Sequence, residues 1–144
     1  EMGRGRPEEA AFAGWVGLVA AVGIMGLMGG LVYLGRDVIP LVYTDEPAIQ
    51  ARAAALFAFA AIVFLPDTAQ VVMGQAVRAL GDAWVPVGAY AIAFVAVLAP
   101  LGWVLVTHFG WDERGLLLAI IIACAIATVL LSWRFRVLTR SAEA

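Results

Sequence analysis

Pro66-Asp67-Thr68-Ala69-Gln70-Val71-Val72-Met73-Gly74-Gln75-Ala76-Val77-Arg78-Ala79-Leu80-Gly81-Asp82 decides how this chain is read. One carboxylate, Asp67, stands inside residues 53–77, a run otherwise free of charge and long enough to cross a bilayer. A charge at the centre of a membrane helix costs roughly 2.5–3.5 kcal/mol on insertion scales, so such a residue is retained for a function or for a partner. Asp67, Gln70, Gly74 and Arg78 follow one another at three, four and four residues and therefore line one helical face. A polar stripe in lipid must turn toward protein or a water-filled cavity. Gly74 permits close approach of a ligand or a neighbouring backbone, and Met73 beside it is an adaptable contact. Arg78, near the helix end, is expected to snorkel to the interface rather than to reach Asp67.

The rest of the chain has the composition of a membrane protein. Of its 144 residues 64% are hydrophobic and only 14% charged, with a mean hydropathy of +0.97. Residues 10–35, 83–111 and 115–133 hold no charged side chain, and each run meets or approaches the ~20 residues that span hydrocarbon. The expected fold is therefore an all-α membrane protein of four transmembrane helices, at about 8–35, 46–80, 83–108 and 114–136.

Local signals set the boundaries. Pro7-Glu8-Glu9 starts the first helix with acids in its first turn. Within it, Ala13, Gly17 and Ala21, and again Gly26 and Gly30, repeat every four residues and predict a close-packing face. A connector containing Pro40 leads to Thr44 or Asp45 as the cap of the second helix, with Pro47 in its first turn. Pro66 predicts a bend there, because it removes one backbone hydrogen bond. Gly81 stops that helix, Asp82 caps the next, and Pro100 predicts a second kink. Trp84, Trp103 and Trp111 suit the interfaces, and His108 beside Asp112-Glu113-Arg114 reads as solvated. The last helix, nearly all aliphatic, reads as scaffold, and Cys124 within it as a small packing residue.

There is no lysine, so arginines orient the chain. Four spans place Arg4, Arg6, Arg78, Arg134, Arg136 and Arg140 on one side and Arg36, Arg52 and Arg114 on the other, which puts both termini in the cytoplasm of a multi-pass cell-membrane protein. The opening Glu1-Met2-Gly3-Arg4 has neither an initiator start nor a signal-peptide layout, and the chain is expected to be a piece of a longer protein.

Enzymatic chemistry lacks its parts. One histidine, one cysteine and no phosphate-binding or dinucleotide glycine pattern exclude the familiar hydrolytic, phosphoryl-transfer and metal-catalysed sites, and no enzyme or cofactor is expected. No basic patch with interleaved aromatics points to nucleic acid. A single membrane carboxylate can take a proton or Na⁺ and thereby alter what its cavity accepts. Asp67 is the coupling residue on this reading, and Na⁺ at Asp67 is the one metal contemplated.

Several stretches resemble the multidrug and toxic compound extrusion (MATE) transporters. The resemblance runs from Gly3-Arg4-Gly5-Arg6-Pro7-Glu8-Glu9-Ala10 through Leu41-Val42-Tyr43-Thr44-Asp45 to the Asp67–Asp82 stretch, its most specific part, and on to Tyr90 and Pro100-Leu101-Gly102. It implies helices nine to twelve of a twelve-helix antiporter built from two six-helix lobes, exporting drugs or organic cations in exchange for H⁺ or Na⁺. It further implies that Asp67 binds the coupling ion and that Gln70 and Gly74 border the cavity; Met73 and Tyr90 are placed beside them, and Pro66, Arg78, Gly81, Asp82 and Pro100 are read as structural. The implied partners are membrane lipids, a small amphiphilic or cationic substrate, the N-terminal lobe and the first two helices of the C-terminal lobe. The chain departs from the family at Gly115-Leu116-Leu117-Leu118, where a hydrophobic residue and then a tryptophan often follow the glycine, and it lacks the acids of the seventh helix. Two alternatives are a flippase of lipid-linked substrates and a small four-helix assembly subunit that carries nothing and uses Asp67 in an ion pair.

Overall fold

The computed structural model describes residues 7–141, and these form four long helices with no strand among the described residues. They are α1 (Pro7–Gly35), α2 (Pro47–Ala79), α3 (Trp84–Thr107) and α4 (Asp112–Ser141), with a short 3₁₀ turn at Ile39–Val42 between the first two. All four are long and apolar enough to cross a membrane. This is a membrane protein. Arg4 and Arg6, used above to orient the chain, lie outside the described residues.

The helices pack as a row in the order α1, α2, α4, α3, with α4 packed about equally against α2 and α3 and meeting α1 only near one end. Few side chains are buried, and they concentrate where α2, α3 and α4 meet: Met73, Val77, Ala89, Leu131 and Phe135. Beside them Ala93, Ala123 and Ala127 bring α3 and α4 close together, as small residues must where lipid supplies no hydrophobic drive to association. Phe12, Val19, Leu34, Val95 and Trp133 face outward, where acyl chains rather than water receive them.

Helix α1 uses only part of the face that its spacing predicts, at Gly26. A side chain at Gly17 or Gly30 would meet open space, and Ala13 is exposed. The contact runs instead through Gly26, which faces Leu65, and Gly29, where a Cβ would stand 2.7 Å from the Ala61 carbonyl oxygen. Gly14 lies against the Phe135 ring, which also meets Trp15 edge to face at 6.0 Å. The four-residue repeat identified small residues correctly but could not say which side the neighbouring helix takes.

Three boundaries need correction. Glu46, not Thr44 or Asp45, is the cap position of α2, while Thr44 accepts the Glu46 N–H on its Oγ1 at 3.2 Å and the Gln50 side chain on its carbonyl at 2.8 Å. The last helix begins at Asp112 and continues to Ser141, well past 136. Leu131, Phe135 and Thr139 keep a buried stripe at four-residue spacing, and the arginines between them are good helix formers with partners of their own. The Arg134 guanidinium reaches Asp82, and that of Arg136 lies 5.0 Å above the Trp15 ring.

Helix α3 changes its winding. Residues Ala91–Leu98 form a π-helical segment that ends just before Pro100. Proline has no N–H to donate and crowds the carbonyl one turn back, and the wider i→i+5 pattern accommodates both. The Ala99 N–H accordingly reaches the Phe94 carbonyl.

Candidate functional site

Pro66 leaves α2 continuous and sets the polar stripe one residue later. Of that stripe, Asp67 is exposed, Gln70 is only 4% exposed and Gly74 is buried. The helix rotates these positions by about 100° per residue, so the stripe straddles the edge of the α2–α4 contact rather than facing one environment.

Asp67 is held on one side. Its Oδ1 accepts the Gln70 Nε2–H at 3.0 Å and the Cys124 thiol at 3.9 Å. Its described hydrogen bonds all fall on that oxygen, which leaves Oδ2 without a partner among the described residues. Gln70 Nε2 also points at Cys124 Sγ, 3.4 Å away, so both hydrogens of one amide are committed. The amide oxygen of Gln70 is buried and has no partner among the described residues. Burying a polar atom unpaired costs roughly 1–3 kcal/mol.

Two further contacts tie this group to its neighbours. Thr128, one turn beyond Cys124 on α4, places its hydroxyl between the Cys124 carbonyl (2.8 Å) and the Pro66 carbonyl (3.3 Å). Tyr90, at the last α-helical residue before the π segment, donates its hydroxyl to the Gln70 carbonyl at 3.2 Å. The Tyr90 hydroxyl occupies the space a side chain at position 74 would fill. Gly74 thus admits α3 rather than standing open, and Met73 lies fully buried in the core formed by α2, α3 and α4. Arg78 does more than snorkel: its guanidinium lies 5.9 Å above the Tyr90 ring.

The last helix is therefore not scaffold alone. Cys124 bonds Asp67 and Gln70 and Thr128 bonds the Pro66 carbonyl, whereas sequence reading takes Cys124 for packing alone and does not single out Thr128. The signal was present, since between Gly115 and Leu131 these two are the only side chains able to hydrogen-bond, and they stand four residues apart on one face.

At the C-terminal end of α2, Gly81 takes φ +90° and turns the chain. Asp82 caps α3 by accepting the Val85 N–H on Oδ1 at 3.1 Å, and it receives Arg134 on Oδ2 at 2.7–2.8 Å. The Val85 N–H first and the Arg134 guanidinium second hold its carboxyl below the usual carboxylate range. The opposite end is closed by Arg52, which grips Glu113 through both carboxylate oxygens at 2.8 and 3.2 Å. A cleft of about 560 Å³ beside that pair is lined by Arg52, Phe59, Trp111, Glu113 and Leu118, and none of the Asp67 group borders it. His108 is exposed, and the described residues contain no cluster of three metal-ligating side chains.

The model of the MatE family matches residues 1–104. The chain belongs to the MatE family. Members of that family are transporters, not enzymes. A probable multidrug resistance protein NorM of Caulobacter vibrioides is 37% identical over 127 residues, 88% of this chain and 27% of the relative. The corresponding protein of Xanthomonas axonopodis pv. citri is 34% identical over 139 residues, 96% of this chain and 30% of the relative. The multidrug resistance protein PmpM of Pseudomonas aeruginosa is 32% identical over 146 residues, 99% of this chain and 30% of the relative. The chain thus spans about three-tenths of the length of these MatE-family relatives. No solved structure matches it.

Proposed function

We propose that this chain forms helices nine to twelve of a twelve-helix secondary antiporter that exports drugs or organic cations in exchange for H⁺ or Na⁺. One observation carries the reading: Asp67 offers an exposed carboxylate on a membrane-spanning helix, with one oxygen anchored by neutral donors and the other unengaged. A group consumed by an assembly ion pair would have a cationic partner, whereas the described partners of Asp67 are an amide and a thiol. Fixing one oxygen orients the other toward an incoming cation, which is the geometry a coupling site needs.

The remaining eight helices cover the exposed face of α2 in this proposal, because a carboxylate open to lipid would be unstable there. The protein lies in the cell membrane with both termini cytoplasmic, an orientation supported by Arg78, Arg134, Arg136 and Arg140 at one end of the bundle. Gln70, Met73, Gly74 and Tyr90 then form the wall behind the coupling site, and the substrate passes on the Asp67 side.

The test is efflux of a fluorescent organic cation from cells expressing the full-length protein, comparing Asp67 with Asp67→Asn at matched expression. Asparagine keeps size and hydrogen bonding but cannot carry the charge, so loss of efflux supports a coupling carboxylate. Unchanged efflux would overturn it.

A further inference from the structure

The amide of Gln70 is arranged in a way that its surroundings alone do not explain. Both Nε2 hydrogens are engaged, on Asp67 and Cys124, while Oε1 is buried with nothing to accept. A half-turn about the terminal side-chain torsion would interchange the two ends in the same volume, and that torsion is soft. The turned amide would set Oε1 against a bare carboxylate oxygen at about the same 3.0 Å, acceptor facing acceptor. A bare carboxylate oxygen facing the amide therefore favours the orientation seen.

From this, and resting on the coupling role assigned to Asp67 above, we infer that Gln70 is the positioning residue of Asp67 and that its amide turns over when Asp67 takes a monovalent cation. With the carboxylate empty, Nε2–H holds Oδ1. With a proton or Na⁺ drawn from Oδ2 onto Oδ1, which Gln70 faces, the N–H is repelled and Oε1 turns inward to accept the acid's O–H or to ligate the ion. Cys124 serves both states, as acceptor from Nε2–H in one and as S–H donor to Oε1 in the other. Either orientation leaves one end of the amide unpartnered in the same place, so the choice between them is left to the charge at Asp67. The backbone need not move, because Tyr90 holds the Gln70 carbonyl from α3.

Among the described residues no other charge competes. From α4 Cys124 bonds Asp67 and Thr128 bonds the neighbouring Pro66 carbonyl, from α3 Tyr90 bonds the Gln70 carbonyl, and Arg78 is engaged over the Tyr90 ring. Residues 10–35 of α1 hold no charged side chain.

The experiment uses full-length protein in proteoliposomes, a fluorescent organic cation as substrate, and two driving arms: a Na⁺ gradient at fixed pH and a proton gradient in Na⁺-free choline buffer. KM for the driving cation and kcat are read for wild type, Gln70→Met, Gln70→Glu and Asp67→Asn. Gln70→Met removes both the donor and the acceptor and is expected to raise the cation KM about tenfold with kcat nearly unchanged. Gln70→Glu presents only acceptors, mimics the turned amide, and is expected to lower the cation KM several-fold while slowing release and hence kcat. Opposite shifts in KM are the signature. Shifts in the same direction, or an unmoved KM in Gln70→Met, would overturn the inference; if that variant does not fold, a raised KM in Gln70→Glu does so by itself. Cation-driven transport surviving in Asp67→Asn, or absent from wild type in both arms, would instead defeat the coupling role itself.

Discussion

Gly74 and Tyr90 show how little space separates α2 from α3. A methyl group at position 74 would collide with the Tyr90 hydroxyl, and the ring would have to leave its bond to the Gln70 carbonyl. Gly74→Ala should therefore destabilise the protein by about 1–3 kcal/mol. In thermal melts the Gly74→Ala/Tyr90→Phe double variant should lose less than the sum of the two single changes, since phenylalanine removes the colliding oxygen. Asp82 makes a different prediction. Its carboxyl is held below the ordinary range by the Val85 N–H and by Arg134, so the stabilisation is present above the ordinary carboxylate pKa and is lost as pH falls through the lowered folded value. Melts of wild type and Asp82→Asn from neutral to acidic pH should differ most at neutrality and converge in acid.

Helix α1 leans on α2 through single glycines rather than along a stripe. Gly29 is the tightest point, where any side chain would press on the Ala61 backbone oxygen. Gly29→Ala is expected to cost about 1–3 kcal/mol, whereas Gly17→Ala and Gly30→Ala, which point into open space, should stay within about 0.5 kcal/mol. Equal effects at all three positions in a thermal-shift series would mean that α1 packs on a different face. The π segment of α3 has a related consequence for the site. It lies between Tyr90 and Pro100, so the winding that absorbs the proline also sets the rotation at which Tyr90 meets α2.

As a whole, the row of four helices buries little and leaves Asp67 exposed. An exposed membrane carboxylate and a chain three-tenths the length of its relatives predict that the 144-residue polypeptide made alone will not behave as a folded unit. In detergent it should be polydisperse and melt without cooperativity, and co-expression with the remaining helices proposed above should correct both. A monodisperse, cooperatively melting 144-residue protein would contradict this.

The four spans, their order and the polar stripe from Asp67 to Arg78 were legible in the sequence, because hydrophobic runs and the 3.6-residue period depend only on neighbours along the chain. So were Gly81 as the helix stop and Asp82 as the cap, which are local backbone matters. Contacts between helices were not legible in that way. Of the predicted positions Gly26 faces α2 but Gly17 and Gly30 do not, with Gly29 the tightest contact; Cys124 bonds Asp67 and Thr128 the Pro66 carbonyl from α4; and Gly74 is filled by Tyr90 from 16 residues further on. Each depends on how one helix is rotated against another, and in lipid, where every face is apolar, hydrophobicity does not specify that rotation. Close fit between small side chains and a few hydrogen bonds decide it, and both exist only once the helices have met.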